Sequence, residues 1–317
     1  MNDPALHPLP ATDQDARDAG ASVFVSAQDG LRLHVREYGA RRAAGLPVVC
    51  LPGITRTAAD FAELAPALAA APLRRRVIAI ESRGRGLSEY DSNPDNYNLA
   101  VELGDVFSVL TALAISPAVF VGSSRGGILT MLLGAAHPTA IAGAVLHDIG
   151  PVVEARGLAR IKGYIGKLPQ PHSFEEGADM LRRITGAQFP NLTPDQWLAA
   201  ARRAWRMKNG ALVPTYDGRL ARSLASVDLE RPIPALWNEF DTLKAVPMLV
   251  IRGGNSDILS AETVAAMRSR RYAMEVIEVA DQGHAPLLEG DDLLRGLIRF
   301  VEDCEAASRR KAPTALQ

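Results

Sequence analysis

The sequence predicts an α/β architecture: a mostly parallel sheet of eight strands flanked by helices, with an all-helical segment inserted into it. Two observations carry this. Short, fully apolar runs (Val48-Val49-Cys50-Leu51, Val77-Ile78-Ala79-Ile80, Val119-Phe120-Val121 and Gly143-Ala144-Val145-Leu146) alternate with helical patterns. Strands without polar alternation are buried on both faces, which parallel pairing with crossover helices achieves. The alternation then stops after Gly150-Pro151 and resumes at Val246, so a single sheet domain carries an insertion.

In chain order, residues 1–20 are polar and without periodicity and read as a flexible tail. Two alternating runs, Ala21 to Val25 and Leu31 to Tyr38, flank Asp29-Gly30, a tight-turn pair that predicts a hairpin. Thr57-Ala-Ala-Asp60 reads as a capping box opening a helix from Phe61 to Ala70, and Leu99 to Leu113 has apolar residues at helical spacing. Residues 151–240 read as helical pieces only. Among them, Thr193-Pro194-Asp195-Gln196 supplies a cap, a first-turn proline and a glutamine ahead of an amphipathic Trp197 to Met207 segment. The core, residues 21–150 and 241–306, resumes with a strand at Val246 to Ile251 and a helix at Ser260 to Arg268. A strand at Met274 to Val279 and a last helix from Leu287 to Ala306 complete it, leaving residues 307–317 as a second tail.

Composition narrows the function. Hydrophobic residues make up 47%, charged residues 22%, and the net charge is -1, with no basic excess to form a nucleic-acid or membrane surface. The pairs Arg182-Arg183 and Arg202-Arg203 read as solvated helix faces. Cys50 and Cys304 are the only cysteines, too few and too far apart for a disulfide framework or a metal site. The acidic, Pro-containing Met1-Asn-Asp-Pro-Ala start argues against a signal peptide, and every apolar run is too short or too interrupted to span a bilayer. These features predict a cytoplasmic protein acting on a small molecule, without nucleic-acid or membrane partners, and compatible with a homodimer.

The sharpest local signal is Gly122-Ser123-Ser124-Arg125-Gly126, a G-x-S-x-G followed by Gly127, with an apolar strand running in and an apolar helix, Ile128 to Ala136, running out. A serine at a strained strand-to-helix turn projects its hydroxyl above the sheet edge. A phosphate loop is the competing use of such a turn, but neither Gly-Lys-Ser/Thr nor G-x-G-x-x-G is present. Such a nucleophile needs a base and a carboxylate to orient that base. Of six histidines, only His284 follows the last strand, at the sheet edge where open α/β sheets place their sites. Asp257, directly after the Val246 to Ile251 strand, is the first choice for the acid. Asp148, after the preceding strand, is the rival, and Asp281 the third.

On these residues the chain resembles the α/β-hydrolase fold family, over about residues 22 to 304. Glu81-Ser-Arg83-Gly84-Arg-Gly86-Leu-Ser88 looks like that family's Asp-x-Arg-Gly-x-Gly-x-Ser turn with glutamate leading, and Gly283-His284-Ala285-Pro286 matches its histidine loop. The resemblance implies an oxyanion hole made by the backbone N–H groups of Ile54, in Leu51-Pro52-Gly53-Ile54, and Arg125. Pro52 stands where histidine is frequent. It also implies a cap at residues 151–240 and no metal or organic cofactor. The implied activity is that of a serine esterase or lactonase, with Ser124 forming an acyl-enzyme. The alternatives are a carbon–carbon bond or enol-lactone hydrolase of aromatic catabolism using the same triad, and a non-catalytic ligand-binding protein on the same fold. Alanine after His284, where aromatic carbon–carbon hydrolases usually carry tryptophan, lowers the second reading, and serine at 124 disfavours dehalogenation and epoxide hydrolysis.

For the substrate pocket, Tyr164, Trp197, Trp205 and Trp237 are the large cap residues expected around the ligand, each with a place in a small helical core as its plain alternative. Arg125 can either hold a substrate carboxylate, which predicts anionic esters or lactones, or pair with Glu81 or Asp148.

Overall fold

The computed structural model describes residues 20–311 apart from 226, 230, 232 and 272; the expected tails at residues 1–19 and 312–317 lie outside them. The chain opens with the expected hairpin, β1 (Ala21–Ser26) and β2 (Arg32–Tyr38), antiparallel around Gly30 at φ +85. Six further strands complete the main sheet: β3 (Val48–Leu51), β4 (Val77–Ile80), β5 (Ala118–Ser123), β6 (Ile141–His147), β9 (Met248–Gly253) and β10 (Glu275–Val279). Between β6 and β9 lies a separate pair, β7 (Trp205–Lys208) and β8 (Ala211–Pro214). The eight-stranded order is β1-β2-β4-β3-β5-β6-β9-β10. Pairing is antiparallel at β1–β2 and β2–β4 and parallel from β4 onward.

The continuous apolar strands are explained by the two layers they serve. Val49, Leu51, Ile78, Ile80 and Phe120 face a layer formed by α2 (Leu99–Ala112), α3 (Arg125–Ala136), α8 (Trp237–Thr242) and α9 (Ala261–Arg270). Their neighbours Val48, Cys50, Val77, Ala79 and Val121 face α1 (Leu64–Ala70) and α10 (Asp291–Lys311). Successive residues of a strand point to opposite faces, so a strand with helices on both sides is apolar at consecutive positions through its middle. The segment inserted between β6 and β9, the expected cap, runs through α4 (Ala155–Tyr164), α5 (Phe174–Thr185), α6 (Pro194–Ala204) and α7 (Arg222–Ala225). It has its own core of Ala178, Phe189, Trp197, Ala201, Trp205 and Leu212.

Several expectations are corrected. The cap is not all-helical: β7 and β8 form an antiparallel hairpin, and α6 ends at Ala204 rather than Met207. The cause is Asn209-Gly210, both at positive φ (52 and 77), the turn whose twist matches that of a two-residue hairpin. The cap ends before residue 240, because α8 packs on α3 and Phe240 is wholly buried in the core layer. Thr57 caps a short 3₁₀ turn, Ala58–Phe61, instead of α1, since Asp60 is bound by Arg56 and does not close a box. The Thr193–Gln196 capping box is present with both reciprocal bonds. The last helix starts at Asp291 and continues to Lys311, five residues past the expected end. No described helix is long and apolar enough to cross a membrane.

Candidate active site

Ser124 stands at the junction of β5 and α3 with φ 50 and ψ -115, a left-handed backbone that a non-glycine residue adopts only when its surroundings enforce it. The enforcement is visible. The Ser124 N–H donates to the His147 carbonyl at 2.9 Å, and the Ser124 carbonyl accepts from the Gly127 N–H at 2.9 Å. The flanking glycines are required by space: a Cβ at Gly126 would stand 2.0 Å from the Leu51 carbonyl oxygen, and one at Gly122 would stand 2.5 Å from that of Gly126. The serine hydroxyl is thereby pushed out of the turn.

His284, in the loop between β10 and α10, meets it. Its Nε2 lies 2.8 Å from Ser124 Oγ and its Nδ1 lies 2.8 Å from Oδ2 of Asp148, at the end of β6. Asp148, not Asp257, therefore orients the histidine. Asp148 is fully buried, and it accepts from the Gly253 N–H at 2.8 Å and from Ser256 Oγ at 2.6 Å as well. These donors hold the carboxylate in position beside the imidazole. Asp257 faces the other way. Its two oxygens accept a bidentate pair from Arg160 of α4, at 2.7 and 2.9 Å. Burial opposes its ionisation, but the Arg160 guanidinium holds its carboxyl below the usual range. Asp281, the third choice, accepts from Asn191 Nδ2 at 3.0 Å on the surface. In the sequence Ser256-Asp257 counts among the motifs that resemble the family, but with no role for Ser256 itself; its hydroxyl proves to be the donor to Asp148.

Of the two residues expected to supply an oxyanion hole, Arg125 follows Ser124 in the chain and Ile54 lines the same cavity. Arg125 opens α3, where first-turn amides have no intrahelical acceptor, and Gly53-Ile54 lies against Ser124, within 3.6 Å of its Cβ from the position a Gly53 Cβ would take. The Arg125 side chain turns away from the cavity. Its Nε donates to Glu102 Oε2 at 2.6 Å, so the ion pair expected with Glu81 or Asp148 is instead made with a residue of α2. Glu102 in turn accepts from Arg85 Nη1 at 2.7 Å, and Arg85 Nε donates to the Ile54 carbonyl at 2.7 Å. One buried carboxylate thus ties the elbow to the Ile54 loop. Burial works against its charge, yet the Arg85 and Arg125 guanidiniums hold it below the ordinary carboxyl range.

The Glu81 to Ser88 turn has a structural use. Glu81 accepts from the Leu87 N–H at 2.6 Å and bonds His34 Nδ1 at 2.9 Å. The turn also grips the cap, through Gly86 N–H to the Thr215 carbonyl and Asp217 N–H to the Gly84 carbonyl. Between cap and core lies a cavity of about 240 Å³ reaching Ser124 and His284. Tyr164 and Trp197 line it. Trp205 and Trp237 do not: Trp205 is buried in the cap's own core, and Trp237 packs edge-on against Phe240 and under Arg270.

A strand-end serine, histidine and carboxylate on this sheet define an α/β hydrolase, and the chain belongs to that family: the alpha/beta hydrolase family model matches residues 48–295. It is 32% identical over 254 residues to the 3-hydroxybutyrate-oligomer hydrolase of Cupriavidus necator, covering 75% of this chain and 82% of that one. It is 27% identical over 276 residues to the 2-(acetamidomethylene)succinate hydrolase of Mesorhizobium japonicum, covering 85% and 92%. Among solved structures, an alpha/beta hydrolase from Novosphingobium aromaticivorans superposes with a TM-score of 0.80 at 37% identity, over 90% of this chain and 98% of that one.

Proposed function

We propose that the protein hydrolyses a carboxylic ester or lactone of a short hydroxy acid through an acyl-enzyme on Ser124. The observation that carries this is the unbroken relay Ser124 Oγ, His284 Nε2, His284 Nδ1, Asp148 Oδ2, with both links at 2.8 Å. Ser124 Oγ attacks the carbonyl carbon while His284 Nε2 takes its proton, and Asp148 stabilises the imidazolium that results. The carbonyl oxygen becomes an oxyanion facing the N–H groups of Ile54 and Arg125. Collapse breaks the bond to the leaving alkoxide, which receives the proton from His284. A water then repeats the sequence on the acyl-enzyme and releases the acid.

The cavity, at about 240 Å³, lies just below the usual ligand-pocket range of about 300–1,000 Å³, which favours a short substrate. That agrees with the hydroxybutyrate oligomers named for the Cupriavidus relative. The test is labelling with a fluorophosphonate. Wild type should label rapidly and Ser124→Ala not at all; labelling that survives the substitution overturns the mechanism.

A further inference from the structure

The geometry points to a carboxylate-binding subsite formed by Arg203, with the Arg56–Asp60 pair beside it, so that the preferred substrate is an ester that also carries a free carboxylate. The inference rests on Ser124 being the nucleophile of the same cavity.

The sequence places Arg202 and Arg203 together on a solvated face, but α6 separates them. Arg202 is exposed, its guanidinium over the Phe174 ring, whereas Arg203 turns inward and lines the cavity that holds Ser124 and His284. Its nearest acid is Asp60, at 3.7 Å from Nε, too far for a hydrogen bond. Both Asp60 oxygens are already taken by Arg56, at 2.6 and 2.7 Å. Arg203 Nη2 is buried without a hydrogen-bond partner. Two guanidiniums therefore share one close carboxylate. Burial, and then the Arg56 charge, pull the Arg203 pKa down, and the charges of Asp60, Glu289 and Glu63 offset this only in part.

The other acids of the cavity do not supply the missing acceptor. Glu63 is exposed, and Glu289 accepts from Gln196 Nε2 at 2.6 Å; among the described residues neither forms an ion pair with Arg203. A guanidinium presents a planar fork that matches two carboxylate oxygens, and a half-buried cation whose Nη2 has no acceptor gains most when such a partner arrives. The subsite is also close to the chemistry. A Cβ on Gly53 would stand 3.2 Å from Arg56 Cγ and 3.6 Å from Ser124 Cβ, so the Arg56 stem and the nucleophile flank one glycine. Arg125, the cation the sequence suggests for this task, is already committed to Glu102.

The experiment compares the ester dimer of 3-hydroxybutyrate, which ends in a free carboxylate, with the same dimer capped as its primary amide. The readout is the ratio of their kcat/KM values for release of the common acyl half. Wild type should favour the acid by about 10- to 100-fold, the value of a hydrogen-bonded charge pair. Arg203→Met should remove most of that preference, Arg203→Lys should restore part of it, and Asp60→Asn, by freeing Arg56, should raise it. A wild-type ratio of one or less overturns the subsite, as does a ratio that Arg203→Met leaves unchanged. Should Arg203→Met fail to fold, a ratio that does not rise in Asp60→Asn overturns it equally. Wild type that labels at Ser124 with fluorophosphonate yet turns over neither dimer also sinks the subsite alone. Absence of Ser124 labelling sinks the nucleophile assignment instead.

Discussion

Asp148 and Asp257 end neighbouring strands on the same edge of one sheet, yet they do different work. Asp148 is wholly enclosed, at the end of β6, by the Gly253 N–H, Ser256 Oγ and His284 Nδ1. Asp257, four residues past the end of β9, points up into the cap and clamps Arg160. A Cβ on Gly157 would meet the Asp257 carbonyl oxygen at 2.3 Å, so α4 rests directly on this loop. One carboxylate bonds the imidazole and the other ties α4 to the core. Position at a strand end brings an acid to the site's edge; its partners decide what it does there.

The largest effect that can break this contrast is Asp148→Asn. It should lower kcat on an activated ester by about 10³- to 10⁴-fold by removing the acceptor that sets the His284 tautomer; a loss under tenfold would return the role to Asp257. The surroundings of the two carboxylates should also respond to different acidities. His147, beside Asp148, is pushed down to about 4, chiefly by burial, from 6.5. Its unfolded form takes up a proton first, so stability present above pH 6.5 should fall away as pH drops toward 4, by on the order of 3 kcal/mol. Denaturant midpoints at pH 7 and 5 measure this, and His147→Gln should flatten the slope. Asp257 has its pKa held below the ordinary 3.8, so its contribution is present above that pH and should be lost only on further acidification.

Ser256→Ala sharpens the comparison from the other side. It removes a charge-assisted donor from Asp148 and should cost about tenfold in kcat, with little change in the cap. The smallest catalytic effect belongs to Asp257→Asn, about threefold or less in kcat. Its cost should appear as about 1–2 kcal/mol of stability and faster proteolysis at the α4 junction. A kcat loss as large as that of Asp148→Asn would show that the clamp and the relay are one unit.

The fold was legible because it depends on local pattern. Apolar runs four residues long report strands covered on both faces, and the glycines around Ser124 report a turn with no room for side chains. The Asn209-Gly210 hairpin was equally local and was obscured by a helical pattern that continued up to it. The side-chain assignments around the site were another matter. Arg125 and Arg203 are both arginines beside small residues, and no sequence pattern says that α2 brings Glu102 to one and leaves the other without a close acceptor.

The amino-acid order by itself determined the doubly covered sheet, the nucleophile's turn and the histidine loop, because each follows from residues adjacent in the chain. Which acid completes the relay, which aromatics reach the cavity and which guanidinium is left with an unbonded nitrogen were decided only by tertiary packing. Those outcomes depend on the direction each side chain takes among groups brought close from distant parts of the chain, as when the residue 160 guanidinium captures one carboxylate and leaves the other to the imidazole.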